Sequence, residues 1–181
     1  IERATPGEID AAVSFYRRAC DLGESNGCLL AGGLLIQRED TRQEGLELLE
    51  SVCEAGDPTG CYGAGLVLNG DLGGASNPAQ ATSFFETSCD AGLAAGCGKL
   101  GILYLNGSGV DQDEKRGLTL LRDACNRGDG ASCFQLGQRA SDADNEETAV
   151  DFYRSACLAG EGLGCTHLGF AYAEGQGIEM S

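Results

Sequence analysis

The residues of this chain with the most chemistry to offer are its ten cysteines. Each is separated from a partner by seven residues, which gives five pairs: Cys20/Cys28, Cys53/Cys61, Cys89/Cys97, Cys125/Cys133 and Cys157/Cys165. Zinc sites usually have about two to four residues between paired cysteines, and only one histidine, His167, is present to complete such a site. A tight hairpin between two helices brings positions with the observed spacing together. The pattern therefore predicts five disulfides, one within each pair.

No catalytic motif accompanies the cysteines. No lysine stands three residues after a serine, as the acylating motif of serine β-lactamases requires, and there is no phosphate-binding Gly-Lys loop or His-Glu-x-x-His zinc motif. Two acidic runs, 111–114 and 142–147, lack the spacing and central glycine of a calcium loop. We predict no catalytic residue, no metal site and no cofactor. His167 is interpreted as a structural side chain, with a haem axial ligand as the alternative.

The charge of the chain narrows the class of partner. Asp and Glu number 28 against 12 Lys and Arg, which gives a net charge of −16. A protein this acidic repels phosphate backbones and anionic lipid surfaces, so nucleic acid is not an expected partner. No segment is long and apolar enough to enter a membrane, so membrane insertion is not expected either.

The cysteine pairs also set a repeat. Their first members are spaced 33, 36, 36 and 32 residues apart, a period typical of a solenoid. One glycine follows each first cysteine by three residues: Gly23, Gly56, Gly92, Gly128 and Gly160. Another follows each second cysteine by four residues: Gly32, Gly65, Gly101, Gly137 and Gly169. The first glycine is predicted to end a helix in the left-handed conformation, and the second to let a neighbouring backbone approach.

Large apolar pairs four and five residues before each first cysteine share a helical face with a small residue eight before it. We predict helices near 6–22, 26–38, 41–55, 58–69, 78–91, 94–106, 112–127, 131–141, 145–159 and 162–174. These form helix pairs at about 6–38, 41–69, 78–106, 112–141 and 145–174. Thr5 with Glu8 predicts a capping box, and Asp144 is a further candidate for a helix N-cap.

The disulfides predict a compartment as well. Each would close a loop of about nine residues and contribute about 2–3 kcal/mol of stability, which a short helix pair needs because it cannot bury its own apolar face. Such bonds persist only under oxidising conditions. We therefore expect an exported protein, periplasmic or extracellular, with the mitochondrial intermembrane space as the alternative.

Two motifs resemble a known family. The segment Leu100–Asp113 resembles the signature of the Sel1-like repeat, a relative of the TPR repeat, and the Ala19-Cys20…Gly27-Cys28 pattern is similar to that of the Helicobacter cysteine-rich proteins. The resemblance implies an all-α fold, a right-handed α/α superhelical solenoid with five disulfides inside its hairpins. It also implies a non-catalytic scaffold for protein–protein contacts. We expect residues 1–181 to be one solenoid and part of a longer array.

In TPR-like arrays the first helix of each repeat lines a concave groove. The resemblance therefore places a binding groove for a protein or peptide partner at ten positions one, five, eight or nine residues after a second cysteine. They are Tyr62, Leu66, Asn69, Ile102, Leu105, Asn106, Phe134, Gln138, Phe170 and Glu174. By the same phase Leu100, Tyr104, Leu136, Leu168 and Tyr172 are expected in the core.

The resemblance leaves two other functions open. Some cysteine-rich relatives are described as penicillin-binding or β-lactamase-like, which makes a hydrolase the first alternative. Mitochondrial relatives take part in cytochrome oxidase assembly with haem binding, which makes a haem-binding assembly factor the second. Neither property follows from the fold alone.

Overall fold

The computed structural model describes residues 5–74 and 76–175. These residues form ten α-helices and no strand. The helices are α1 (Pro6–Asp21), α2 (Ser25–Leu35), α3 (Arg42–Glu54), α4 (Pro58–Asn69), α5 (Pro78–Asp90), α6 (Ala94–Asn106), α7 (Glu114–Asn126), α8 (Gly130–Asp142), α9 (Glu146–Leu158) and α10 (Gly162–Glu174). The chain divides into two compact units, one through Leu93 and the other from Ala94. A single continuous array of repeats stays a prediction.

The helix bounds follow the sequence signals closely, with two exceptions. The second helix ends at Leu35, three residues before the predicted end, because the Thr41 hydroxyl donates to the Leu35 carbonyl at 2.8 Å and folds the chain back. The N-cap of α9 is Asn145, whose side chain accepts from the Thr148 amide at 3.3 Å. Asp144 is not the cap, because its φ of 56° is left-handed, a conformation that an N-cap residue does not adopt.

The predicted capping box of α1 is confirmed. The Glu8 carboxylate accepts from the Thr5 backbone amide at 2.7 Å and from the Thr5 hydroxyl at 2.8 Å. These hydrogen bonds hold the pKa of Glu8 below its ordinary value. The box occupies donors that a helix N-terminus otherwise leaves without partners.

The cysteines are oxidised as predicted. Four disulfides have Cα–Cα distances from 4.4 to 4.7 Å and join Cys20 to Cys28, Cys53 to Cys61, Cys125 to Cys133, and Cys157 to Cys165. Cys89 and Cys97 are disulfide-bonded too. The glycine three residues after each first cysteine has a φ between 88° and 97°, so it turns the chain sharply into the next helix. This turn brings the two cysteines of a pair within bonding distance.

Small residues on one helix meet large ones on the next inside each unit. In the first unit Phe85 is 0% exposed and Val52 is 2% exposed. In the second unit one core cluster contains Phe134, Ala149 and Tyr153, and another contains Leu105, Leu121 and Leu136. The core therefore depends on aliphatic and single-ring side chains, as the absence of Trp requires.

Candidate binding surface

The first helices of successive repeats approach one another within each unit. In the first unit α2 touches α4, and in the second unit α8 touches both α6 and α10. The first helices therefore follow one another along one side of each stack, with the second helices behind them. The predicted groove residues all lie on first helices, on α4, α6, α8 and α10.

In the first unit the predicted positions are Tyr62, Leu66 and Asn69 on α4, and all three are half-buried. The Tyr62 ring packs against the Phe85 ring with 6.0 Å between the centroids. The Asn69 amide donates to the Asp71 carboxylate at 3.0 Å. The α4 helix thus presents an aromatic ring that packs on a buried ring, and a polar side chain at its C-terminal end.

In the second unit the predicted positions differ widely in exposure. Asn106 and Glu174 are exposed, and Ile102 and Gln138 are half-buried. Leu105 and Phe134 are each only 6% exposed and belong to the two core clusters. These two side chains have little surface to offer a partner, because the following helix covers them.

An aromatic cluster occupies the surface between α8 and α10. The His167 ring lies 5.1 Å from the Phe134 ring, 5.0 Å from the Tyr153 ring and 6.4 Å from the Phe170 ring, measured between centroids. Phe134 and Tyr153 form its buried base, and Phe170 is 61% exposed. Edge-to-face contacts of this kind hold aromatic rings in place, so Phe170 is an exposed ring beside a fixed set of rings.

A pocket of about 590 Å³ adjoins this cluster. Its lining residues are Gln135, Gln138, Arg139, Ser141, Asp142, Ala143, Tyr153 and His167. Burial raises the pKa of the Tyr153 phenol, and a hydrogen bond with Ser141 lowers it in part. The phenol is therefore neutral at pH 7. The pocket offers amide, hydroxyl and guanidinium groups beside aromatic surface.

Sequence reasoning found only part of this pocket. It named Gln138, which lines the pocket, and Phe170, which lies beside it through a ring contact with His167, but it missed Tyr153, which comes from the second helix of its repeat. It interpreted His167 as structural, and the ring does pack against three others. Tyr172, expected in the core, is 53% exposed. Its hydroxyl accepts from the Arg154 guanidinium of α9 at 3.4 Å, at the protein surface.

The described residues hold no group of three or more His, Cys, Asp or Glu side chains arranged for a metal ion. No helix in the same part of the chain has the length and apolarity needed to cross a membrane.

Comparison with known proteins identifies the repeat. The Sel1 repeat family model matches residues 5–24, 58–93, 94–129 and 130–161, which is more than half of the chain. The chain therefore belongs to the Sel1 repeat family, whose members are generally non-catalytic modules of protein–protein interaction. No curated protein matches the chain.

Solved structures agree with the family. A Sel1 repeat protein from Oxalobacter formigenes has a TM-score of 0.74 at 21% identity, over 92% of this chain and 71% of that one. A protective antigen of uropathogenic Escherichia coli has a TM-score of 0.72 at 22% identity, over 93% of this chain. This chain spans 38% of the length of that antigen.

Helicobacter pylori cysteine-rich protein B has a TM-score of 0.51 at 26% identity, over 70% of this chain and 92% of its own. These structures confirm the predicted fold class, an α/α solenoid of Sel1-like repeats. They also confirm the predicted resemblance to the cysteine-rich proteins.

Proposed function

We propose that this protein is an exported, non-catalytic binding module that holds a peptide or an extended segment of a partner protein against α8 and α10. The observation that carries the proposal is Phe170, an aromatic ring 61% exposed that packs against His167, whose ring in turn packs against the buried Phe134. An exposed aromatic beside a polar pocket offers apolar contact area and hydrogen bonds together, which is what recognition of an extended peptide requires.

The polar groups of the pocket support a peptide as the ligand. Gln135 and Gln138 each carry both a donor and an acceptor, which match the amide and carbonyl groups of an extended backbone. Arg139 and Asp142 add one charge of each sign. The predicted groove positions Ile102 and Asn106 on α6, in the same unit, would extend the same contact to a longer partner.

The compartment is part of the proposal. All ten cysteines are bonded, and such bonds persist in an oxidising environment. The similarity to the Helicobacter cysteine-rich protein points the same way. We propose the periplasm or the extracellular space, with the mitochondrial intermembrane space as the alternative.

The test uses peptide ligands selected by display against the oxidised protein, with affinity measured by calorimetry. Phe170→Ser removes the exposed ring. It should weaken binding by about tenfold or more, the effect of losing one well-packed aromatic contact. Leu158→Ser is the matched control, because Leu158 is 83% exposed at a position that is Asp, Glu or Asn in the other repeats.

Phe134 is left unchanged in this test, since it is buried and its loss would unfold the site. Equal affinity of the parent, Phe170→Ser and Leu158→Ser proteins would contradict the proposed site. Failure to select any peptide, together with turnover of a β-lactam or a haem absorption band on titration, would favour one of the two alternative functions.

A further inference from the structure

Arg139 on α8 occupies a position that is apolar in the other four repeats. It follows the second cysteine of its pair by six residues, where those repeats have Leu34, Val67, Leu103 and Ala171. Val67, Leu103 and Ala171 are each no more than 5% exposed, so this position normally belongs to the core. A guanidinium at such a position loses hydration that other polar groups must replace.

The residues after Arg139 have lost bulk as well. Ala140 stands where each of the other four repeats has a leucine or a tyrosine. Ser141 stands where α6 has the buried Leu105. The smaller side chains coincide with the pocket of about 590 Å³ that Arg139 and Ser141 line. The last turn of α8 thus has a cavity with a cation in its wall where other repeats have apolar packing.

No carboxylate of this chain pairs with Arg139. Among the described residues its guanidinium makes no ion pair and no hydrogen bond, whereas Arg154 on α9 binds the Asp151 carboxylate at 2.7 Å. Asp142 lines the same pocket but is exposed and forms no ion pair with Arg139. An unpaired, half-buried arginine in a chain of net charge −16 makes this pocket a place that can receive a negative charge.

The chemistry of the pocket suits a carboxylate. A guanidinium donates two parallel hydrogen bonds to the two oxygens of a carboxylate. The Gln135 and Gln138 amides can donate to the same group, and so can the Tyr153 phenol, whose pKa is raised by burial. Because Asp142 offsets part of the positive charge, a single negative charge fits better than the double charge of a phosphate.

We propose that Arg139 binds one carboxylate of the partner segment. The carboxylate belongs to an Asp or Glu side chain or to the free C-terminus of that segment. A run of acidic residues would be repelled by the net charge of −16, so the partner presents one carboxylate rather than an acidic stretch. This inference rests on the proposed function and adds the chemical class of the ligand.

Calorimetry with the peptides selected by display tests the assignment. Arg139→Leu introduces the residue that α2 and α6 have at this position. It should weaken binding by about tenfold or more, the effect of losing a hydrogen-bonded charge. Arg139→Lys keeps the charge without the paired donors and should fall between the parent and Arg139→Leu. Arg122→Leu, the same change at an exposed position of α7, is the matched control and should bind like the parent.

Changes in the peptide identify the source of the carboxylate. Amidation of the C-terminus removes the terminal carboxylate, and single Asp→Asn or Glu→Gln changes remove one side-chain carboxylate each. The change that weakens binding to the parent should have no further effect on binding to Arg139→Leu. Binding that depends on Phe170 but on none of these changes would overturn the inference and leave the proposed function standing.

Sodium acetate is a probe that needs no peptide. In an NMR titration of the oxidised protein, the Nε–H signal of Arg139 should shift and saturate with acetate and stay in place with acetamide. The signal of Arg122 is the internal reference for general ionic effects and should not saturate. Saturation at Arg139 together with a failure to select any peptide would support the carboxylate site and contradict the peptide proposal. An Arg139 signal that behaves like that of Arg122 would overturn the inference whether or not peptides bind.

Discussion

Two glycines in the same sequence context, Gly137 on α8 and Gly169 on α10, have opposite surroundings. Each follows a leucine and stands four residues after the second cysteine of its pair. Gly137 is buried against the Tyr153 ring, whereas Gly169 faces open space. The repeat motif therefore gives both helices a small residue on which another helix can pack. Whether that position is buried depends on whether a neighbouring helix lies against it. The same difference separates the buried Tyr153 on α9 from the half-buried Tyr16 on α1.

The largest expected difference between α8 and α10 is in how much their disulfides contribute to the free energy of unfolding. Cys125–Cys133 and Cys157–Cys165 close loops of equal length, with a sequence separation of 8 in both. Loss of either bond by paired Cys→Ala changes should cost about 2–3 kcal/mol through chain entropy alone. Cys133 is also 1% exposed, whereas Cys165 is exposed. Loss of the first bond should therefore cost about 1 kcal/mol more, from the cavity it leaves.

Urea unfolding of the two double variants measures this difference. Equal losses would mean that packing around Cys133 adds nothing to its bond. A larger loss for Cys157–Cys165 would contradict the assignment of α10 as the less packed end.

A smaller effect concerns the helix starts, where α1 and α9 differ despite their common core motif. The N-cap of α9 is the neutral side chain of Asn145, and α1 has the Glu8 carboxylate bound to Thr5. Because those hydrogen bonds lower the pKa of Glu8 in the folded state, the stability they give is present above the unfolded pKa of about 4.3. It is lost as the pH falls through the lower, folded pKa.

The Glu8→Gln protein should thus be less stable than the parent at pH 7, and the difference should shrink as the pH falls below about 4. Thermal unfolding from pH 7 to pH 3 measures it. Glu147→Gln, which changes a first-turn carboxylate on α9, serves as the control for the general loss of a negative charge at a helix start. A gap between Glu8→Gln and the parent that is the same at all pH values would show that the carboxylate charge does not matter to the cap.

The features that recur in every repeat could be predicted from the sequence. Five cysteine pairs and the glycines in phase with them predicted the helices, the disulfides and the fold class, because each feature is a local requirement of a helix hairpin. The end of α2 was predicted too late, because the hydrogen bond from Thr41 to Leu35 depends on a loop without a glycine signal.

Burial was harder to predict from phase alone. Leu105 and Phe134 share the phase of the groove positions, and Tyr172 shares the phase of the core positions. A following helix covers Leu105 and Phe134, whereas the described residues include no helix after α10, which carries the exposed Tyr172. The pocket beside His167 was found only in part for a related reason, since its lining comes from both helices of a repeat.

The central claim is that the glycine four residues after a second cysteine must stay small where another helix packs on it. The most direct test compares the free energies of unfolding of Gly137→Ala and Gly169→Ala, at a concentration where the protein is monomeric. Gly137→Ala should destabilise the protein by about 1–3 kcal/mol, since its methyl group would overlap the buried Tyr153 ring. Gly169→Ala should be neutral or stabilise by up to about 1 kcal/mol, because alanine favours a helix and has free space there. Equal effects of the two changes would contradict the claim.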